Sequence, residues 1–471
     1  MNLFHAQRVY CIGIKGTGLC ALAELLHSRG LEVSGSDCAA VFYTDAILQS
    51  LNIPYFESFA PEHIPAKTDL VIHSAAYCTE TNPEMQEAQR RGIPLLKYPD
   101  ALGEYSAAFE SCGIAGVHGK TTTTALAGTI LAAAALPVQV LAGSAVGSFG
   151  GRSTLNRGNT YFVAETCEYR RHFLSFHPAH IVLTSVESDH QDYFPTFESI
   201  RAAFVDYGRL LPVGGELIYC ADDRGASEVA RILSAENRGI TFKPYGISAA
   251  GDFRITGCRA AAGKLIVDLA GFPVPFALPV PGRHTALNLA GALALADSLI
   301  KKEYGLWSED QYSRVRQALG AFTGSKRRSE ILGEKNKVLF MDDYAHHPTA
   351  IRTTLAGLKD FYPQRRLVVS FMSHTYTRTA ALLDEFACAF ADAEIVILHK
   401  IYASAREEYT GTLSDRMLFE KMQERGGAVY YVAEPVDAVP LVRSLLQEGD
   451  LFITLGAGDN WQLGKIVFEN Y

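Results

Sequence analysis

Gly113-Ile114-Ala115-Gly116-Val117-His118-Gly119-Lys120-Thr121-Thr122 opens as a strand-like run, turns through glycine and leads into an Ala-rich, helix-forming segment. Glycines let backbone amides approach phosphate oxygens. The start of a helix adds positive potential, and a lysine followed by a hydroxyl offers a charge and a magnesium ligand. Ile114 stands where the first glycine of Gly-x-x-x-x-Gly-Lys-Thr would fall, so the plain alternative is a glycine-rich turn with a solvated lysine. Gly116, Gly119, Lys120 and a run of threonines from Thr121 to Thr124, all at a helix start, favour a nucleotide triphosphate site.

Outward from this turn the chain alternates. Strand-like runs at 9–14, 32–35 and 70–73 are separated by helix-like residues 19–29 and a run around Ala46, which predicts βαβ units on a parallel sheet. A fresh strand-turn-helix sets a boundary near Ser111. Strands are expected next at 161–164, 181–184 and 216–219, then short alternating runs broken by Gly and Pro between 253 and 280, as in a small antiparallel insertion. A helix through 286–300 follows. Alternation restarts after Gly324 with runs at 338–341, 367–371, 395–398 and 451–455. The expected division is 1–110, 111–323 and 324–471, in keeping with a length of 471 residues at about 150 residues per domain.

Composition limits the function classes. Apolar residues make up 48% and charged residues 20%, which argues against disorder and fibrous architectures. Lys plus Arg number 43 against 51 Asp plus Glu, a net charge of -8, so nothing general attracts nucleic acid or an anionic membrane. The 9 cysteines are scattered without a Cys-x-x-Cys pair, which reads as reduced thiols, most of them small core residues, rather than disulfides or a zinc site. No signal peptide is read at the start, and the expected location is cytoplasmic. Residues 121–151 lack any charge, but Pro137 divides them into a helix and a short strand-like piece at 138–141, so a buried helix is expected rather than a membrane span.

Ala164-Glu165-Thr166-Cys167-Glu168 and Glu187-Ser188-Asp189-His190-Gln191-Asp192 each follow a strand. Acidic and imidazole groups at the carboxyl ends of neighbouring parallel strands converge on the crevice where an open sheet binds ligand, and there they could hold magnesium against phosphates. Each motif alone reads as a polar turn. Further on come Pro281-Gly282-Arg283-His284-Thr285-Ala286-Leu287-Asn288, Arg327-Arg328, Asp342-Asp343-Tyr344-Ala345-His346-His347-Pro348 and His374-Thr375-Tyr376-Thr377-Arg378-Thr379.

With the shortened Gly-x-x-Gly-Lys-Thr loop, this ordered set resembles the Mur ligases, relatives of the folylpolyglutamate synthases, and the resemblance runs from the first Gly-rich turn to Gly456-Ala457-Gly458-Asp459. It implies a three-domain α/β architecture. A Rossmann-like N-terminal domain binds a UDP-sugar, a central P-loop ATPase domain carries a parallel sheet plus a small antiparallel insertion, and a C-terminal Rossmann-like domain brings in the amino acid and closes over the nucleotide. The implied activity is ATP-dependent joining of L-alanine to the lactyl carboxylate of UDP-N-acetylmuramate through an acyl phosphate, in peptidoglycan synthesis, by a monomer or homodimer. The sibling alternative attaches a peptide to the same sugar.

By that resemblance Gly116, His118, Gly119, Lys120, Thr121 and Thr122 cradle ATP, with Lys120 on the β- and γ-phosphates. Thr121, Glu165 and His190 serve Mg2+, with Glu165 and His190 counted among the catalytic groups. His284 and Asn288 lie near adenine, and Arg328 and Asp343 reach the nucleotide. His346, Tyr344 and Arg378 receive the amino acid, Arg378 through its carboxylate and His346 as a candidate for the amine proton. Gly16, Thr17, Gly18, Asp37 and Ser74 hold the UDP-sugar, and Asn82-Pro83-Glu84 matches a later segment of that domain.

Three departures bear on the branch. Lys15, in Gly13-Ile14-Lys15-Gly16-Thr17-Gly18, occupies a family glycine position, and two readings stand: contact with the diphosphate, or a solvated side chain. Phe204 stands where ligases acting on later stem-peptide residues carry a carbamylated lysine, which favours the alanine-adding branch. Thr375 replaces an arginine of some alanine-adding enzymes and leaves Arg378 as the carboxylate partner. Plain alternatives are turn chemistry for Thr375 and Tyr376 and a surface pair at a helix start for His346 and His347. A dehydrogenase reading rests on Gly13 to Gly18 with Asp37 and leaves Lys120 and His190 unexplained. A non-enzymatic P-loop switch leaves the clusters around His346 and Arg378 unexplained.

Overall fold

The computed structural model describes residues 3–403, 414 and 416–471. Backbone contacts group the chain into two compact units, one of residues 1–186, 201–253 and 291–318, the other of 187–200, 254–290 and 319–471.

The first unit holds two sheets. In the N-terminal one the order is Tyr55–Phe56, Glu32–Ser36, Arg8–Ile12, Leu70–His73, Leu95–Lys97, all parallel. The chain winds outward from Arg8–Ile12 in one direction and then resumes on its other side with Leu70–His73. The carboxyl ends of these two strands therefore flank a topological switch point, where open α/β sheets bind ligands. The second sheet runs Thr241–Tyr245, Glu216–Cys220, His180–Leu183, Glu110–Ala115, Tyr161–Glu165, Val138–Val146, Arg152–Asn156. It is parallel except at its last edge, where Arg152–Asn156 pairs antiparallel with Val138–Val146, a hairpin that the short strand expected at 138–141 did not include.

Helix Lys120–Ala133 explains the charge-free segment. Thr121, Thr123, Thr124 and every residue from Ala125 to Leu131 are buried against this sheet, so the apolar surroundings are protein. Among the described residues no helix is long and apolar enough to cross a membrane.

The second unit holds a three-stranded antiparallel sheet, Ile255–Ala261, Lys264–Leu269 and Phe276–Leu278, in the place where the insertion is expected. Its larger sheet runs Glu330–Lys335, Val338–Asp343, Leu451–Gly456, Leu367–Met372, Ile395–Leu398, Ala428–Tyr431, parallel but for the antiparallel first edge. Leu339, Met341, Val369 and Ile453 pack on one face, Val338, Phe340, Val368 and Phe452 on the other. Burial on both faces is why these strands read as unbroken apolar runs.

Of the free cysteines, Cys11, Cys20, Cys112 and Cys220 are buried, whereas Cys78, Cys167 and Cys388 are exposed and Cys38 and Cys258 lie between. The core role expected for most of them holds for those four.

Candidate active site

Strand Glu110–Ala115 delivers the glycine-rich turn at the carboxyl edge of the central sheet, between neighbours ending at Glu165 and Leu183. Gly116 has φ +135, and a Cβ there would stand 2.1 Å from Thr184 Oγ1, so only glycine fits. The turn is braced from the next strand: Val117 N donates to Ser185 O (3.0 Å), His118 N to Ser185 Oγ (2.9 Å), and Thr184 Oγ1 to Ala115 O (3.0 Å). Gly119, at φ +79, caps helix Lys120–Ala133 without a side-chain acceptor, so the helix start presents its amides to the turn.

Lys120 folds back over this turn. Its Nζ donates to Gly116 O and, at 3.0 Å, to Glu168 Oε2, and both side chains are largely withdrawn from water at 13% and 2% exposure. Burial works against the ammonium, but Glu168 and then Glu165 outweigh it, and the lysine is held above its usual pKa. Thr121 Oγ1 donates to Glu165 Oε2 at 2.8 Å. Gly143 packs flat on that carboxylate, and a Cβ at Gly143 would sit 2.2 Å from Glu165 Oε2. A hydroxyl and a carboxylate side by side are hard oxygen donors that suit Mg2+. Thr122 is half-buried in the first helical turn.

In the N-terminal sheet, Gly16, Thr17 and Gly18 form the start of helix Thr17–Ser28, which has no side-chain cap, and Ser74 follows the strand across the switch point. Asp37 is engaged by the chain itself. Lys15 N donates to its Oδ2 (2.8 Å), Cys38 N and Tyr77 OH to its Oδ1 (2.8 Å each). Lys15 corrects the solvated reading: it is 1% exposed, with Nζ 2.7 Å from Glu57 Oε1 and 3.2 Å from Asp45 Oδ1, and it also donates to the carbonyls of Cys38 and Ala40. Burial opposes its charge, yet the hydrogen bonds it donates to Glu57 and Asp45 raise its pKa. Glu84 likewise serves the fold. Asn82 caps helix Pro83–Arg90, and the buried Glu84 carboxylate accepts from Tyr10 OH (3.1 Å) and Ser36 Oγ (2.5 Å).

The second unit carries its own cluster. Arg378, 4% exposed, donates from Nε (3.0 Å) and Nη2 (2.7 Å) to Asp189 Oδ1, and its Nη1 lies 3.0 Å from His374 Nδ1. Burial pushes the Asp189 carboxyl up, but Arg378 overrides it and holds the group far below the usual range. His190, beside it, adopts φ 52, and its carbonyl accepts from Tyr193 N (2.8 Å) and Phe194 N (2.7 Å), a tight turn. Thr375 has φ 68, an uncommon conformation for a β-branched residue, at the start of helix Tyr376–Ala381.

His346 Nδ1 lies 2.8 Å from Tyr344 O, so that nitrogen carries the proton and Nε2 keeps its lone pair. Burial first, and then Arg378, hold His346 well below the usual imidazole pKa. His347 is buried at 5% and accepts from Thr349 N at the head of helix Pro348–Phe361, which corrects the reading of a surface pair. Asp343 accepts from Ser329 N (2.6 Å) and Ala345 N (2.7 Å), while Arg328 lies over the Tyr344 ring at 5.1 Å. Burial raises the Asp343 pKa, opposed by Arg328. His284 is pushed down to about 4 by burial and then by Arg328, and its buried Nδ1 has no hydrogen-bond partner among the described residues. Asn288, one turn further along helix Arg283–Tyr304, is buried at 7%. Sequence reasoning quoted Glu168 and Asp189 inside motifs read together as magnesium-holding, but gave neither a role of its own beside Lys120 or Arg378. The signal was the presence of two cations, Lys120 and Arg378, that had to be held while buried.

Comparisons with known proteins agree along the whole chain. Family models described as Mur ligase family, catalytic domain, Mur ligase middle domain, and Mur ligase, glutamate ligase domain match residues 8–110, 114–296 and 327–458. A UDP-N-acetylmuramate--L-alanine ligase of Treponema pallidum (strain Nichols) is 53% identical over 464 residues, covering 98% of this chain and 96% of the relative. The crystal structure of a UDP-N-acetylmuramate-alanine ligase from Thermotoga maritima superposes with a TM-score of 0.78 at 25% identity, covering 98% of this chain and 99% of that one. A murein peptide ligase from Psychrobacter arcticus gives 0.68 at 22% identity, with 98% of each chain covered.

Proposed function

The chain belongs to the Mur ligase family and has its three-domain α/β fold, and from that premise we propose that it joins L-alanine to the lactyl carboxylate of UDP-N-acetylmuramate at the expense of ATP, in peptidoglycan synthesis in the cytoplasm. The observation that carries this reading is the 53% identity with the Treponema relative over 98% of the chain. Phe204, buried at 2% and edge-on to Phe173 at 5.3 Å, supports the alanine-adding branch, because the site of a carbamylated lysine is filled by an aromatic packing residue. The likeness to the Psychrobacter peptide ligase, at 22% identity, speaks for the fold alone.

We assign UDP-sugar binding to residues 1–110, ATP binding to 111–323 and the amino acid to 324–471. A carboxylate does not condense with an amine directly, since the expelled group would be oxide or hydroxide. In the reading proposed here a lactyl carboxylate oxygen bonds to the γ-phosphorus of ATP as the bond to ADP breaks, which gives an acyl phosphate. The amine nitrogen of L-alanine then bonds to the acyl carbon, and phosphate leaves.

Lys120 and the start of helix Lys120–Ala133 stabilise charge spreading over the phosphoryl oxygens. Thr121 and Glu165, held against each other, would take Mg2+, which would supply further neutralisation of the phosphates; the family resemblance adds His190 as a magnesium ligand. His284 and Asn288 serve adenine, and Arg328 and Asp343 the rest of the nucleotide. Gly16, Thr17, Gly18, Asp37 and Ser74 serve the UDP-sugar, with Asp37 also bracing the Lys15 turn. Arg378 takes the alanine carboxylate. Neutral His346, with its proton on Nδ1, accepts the amine proton at Nε2.

The test is product identity. With ATP, Mg2+ and UDP-N-acetylmuramate, the enzyme offered equal L-alanine and a murein tripeptide should yield a nucleotide sugar heavier by one alanyl residue. Predominance of the peptide product would replace this reading with the sibling one.

A further inference from the structure

We propose that Asp189 is a positioning residue for the incoming amino acid, holding Arg378 so that its Nη1–Nη2 edge faces the substrate carboxylate. This rests on the assignment of Arg378 made above.

An arginine has five N–H donors in a fixed fork and a long stem with many rotamers, so a bidentate grip on a carboxylate requires that one edge be presented and the others secured. Asp189 secures the Nε–Nη2 edge: both nitrogens donate to the single oxygen Oδ1, at 3.0 and 2.7 Å. That oxygen is itself anchored by His190 N at 2.7 Å, and His190 sits at φ 52 in the turn closed by Tyr193 and Phe194. The carboxylate is therefore set by backbone rather than by a flexible side chain. Both partners are 4% exposed, so neither is shared with bulk water.

His374 flanks the far side, with its Nδ1 3.0 Å and its carbonyl oxygen 3.3 Å from Nη1. The edge that Asp189 does not take runs from Nη1 to Nη2, the end of the fork that matches a second carboxylate; there Nη2 keeps its second N–H, and a substrate oxygen would displace one of the two His374 acceptors from Nη1. The His374 ring in turn lies 5.6 Å from that of His346. An α-amino acid carries its carboxylate and amine on one carbon, so the groups receiving them have to be neighbours, and Arg378 and His346 meet that condition within one cluster. An oxygen already accepting three N–H groups is poorly disposed to a metal, which separates Asp189 in role from its neighbour His190.

The experiment is steady-state kinetics of full-length Asp189→Asn with each substrate varied in turn. The expected result is a KM for L-alanine raised about tenfold or more, with KM for ATP, KM for UDP-N-acetylmuramate and the Mg2+ requirement within about twofold. Arg378→Lys should show the same pattern, and the double variant should be no worse than Arg378→Lys alone. Asp189→Glu, which keeps the charge but displaces the fork, should show a smaller rise of the same kind and serves if Asp189→Asn does not fold. An equal rise for ATP or Mg2+ would overturn the proposal in favour of a nucleotide role. So would a fall in kcat with every KM unchanged. A wild-type enzyme inert toward L-alanine would instead sink the functional reading, and the two failures are distinguishable in the same assay.

Discussion

The ammonium of Lys120 and the carboxylate of Glu168 stand 3.0 Å apart, the lysine at the head of a helix and the glutamate just beyond the end of the adjacent strand Tyr161–Glu165. The charge that would grip a triphosphate is thus fixed in place by an acid of the same unit. Lys120→Ala is expected to lower kcat about a hundredfold or more with unchanged circular dichroism, as for loss of one preorganised charge stabilising a transition state. Thr121→Val should raise the Mg2+ concentration needed for half-maximal turnover, measured at saturating ATP.

Lys15 is the cation of a buried knot in the N-terminal sheet. Lys15→Met leaves Asp45, 14% exposed, without its charge partner, while Glu57, at 56%, regains water easily. The expected cost is about 2 kcal/mol, below the usual penalty for breaking a fully buried pair. Urea denaturation of the full chain measures it. Because Asp45 also accepts from Tyr55 OH at 2.9 Å, Asp45→Asn should be milder than Lys15→Met.

His180 lies at the amino ends of the central strands, opposite the Gly116–Gly119 turn, with Nε2 2.9 Å from Glu110 and Nδ1 3.2 Å from Glu216. Burial alone would lower its pKa, but the hydrogen bonds it donates to Glu110 and then to Glu216 raise it above 6.5. A raised value means that its stabilisation is complete below pH 6.5 and is lost as pH climbs through the folded value. Glu110, held down to about 2 chiefly by His180, contributes above 4.5 and loses that contribution as pH falls towards 2. Glu216 is also lowered to about 2, against burial, by His180 and Lys243. The urea midpoint of wild type should therefore fall, as pH rises above 6.5, more steeply than that of His180→Gln. Parallel curves would show that the imidazolium contributes nothing.

Gly282 and Gly357 press together in the second unit. A Cβ on Gly357 would stand 2.6 Å from Gly282 Cα, and one on Gly282, at φ +100, would meet His284 Cε1 at 2.3 Å. Gly357→Ala is expected to cost about 1–3 kcal/mol by overpacking and to raise KM for ATP severalfold, with little effect on KM for L-alanine. Equal effects on both substrates would count against a nucleotide role for His284.

The strands most legible in the sequence are those buried on both faces, because short apolar runs flanked by polar residues leave little ambiguity: 395–398 and 70–73 are expected and found as Ile395–Leu398 and Leu70–His73. The edges were not legible. Glu330–Lys335 and Arg152–Asn156 mix polar and apolar residues because one side of each meets no further strand. At the site, the Lys120 turn was legible through its residue types, glycines followed by a lysine and threonines, which the structure places at the head of helix Lys120–Ala133. The partners Glu168, Asp189, Glu57 and Asp45 did not, since which acid neutralises which buried cation depends on distances that spacing along the chain does not encode. Lys15 shows the same limit, because a lysine in a glycine-rich turn looks solvated until the strands around it are in place.

The most direct test of the account is ATP consumption by the purified full-length enzyme with Mg2+ and UDP-N-acetylmuramate, with and without L-alanine. Release of phosphate that requires both the sugar and L-alanine, and that disappears in Lys120→Ala, is the predicted result. No ATP consumed with that sugar, whichever amino acid or peptide is supplied, would contradict it.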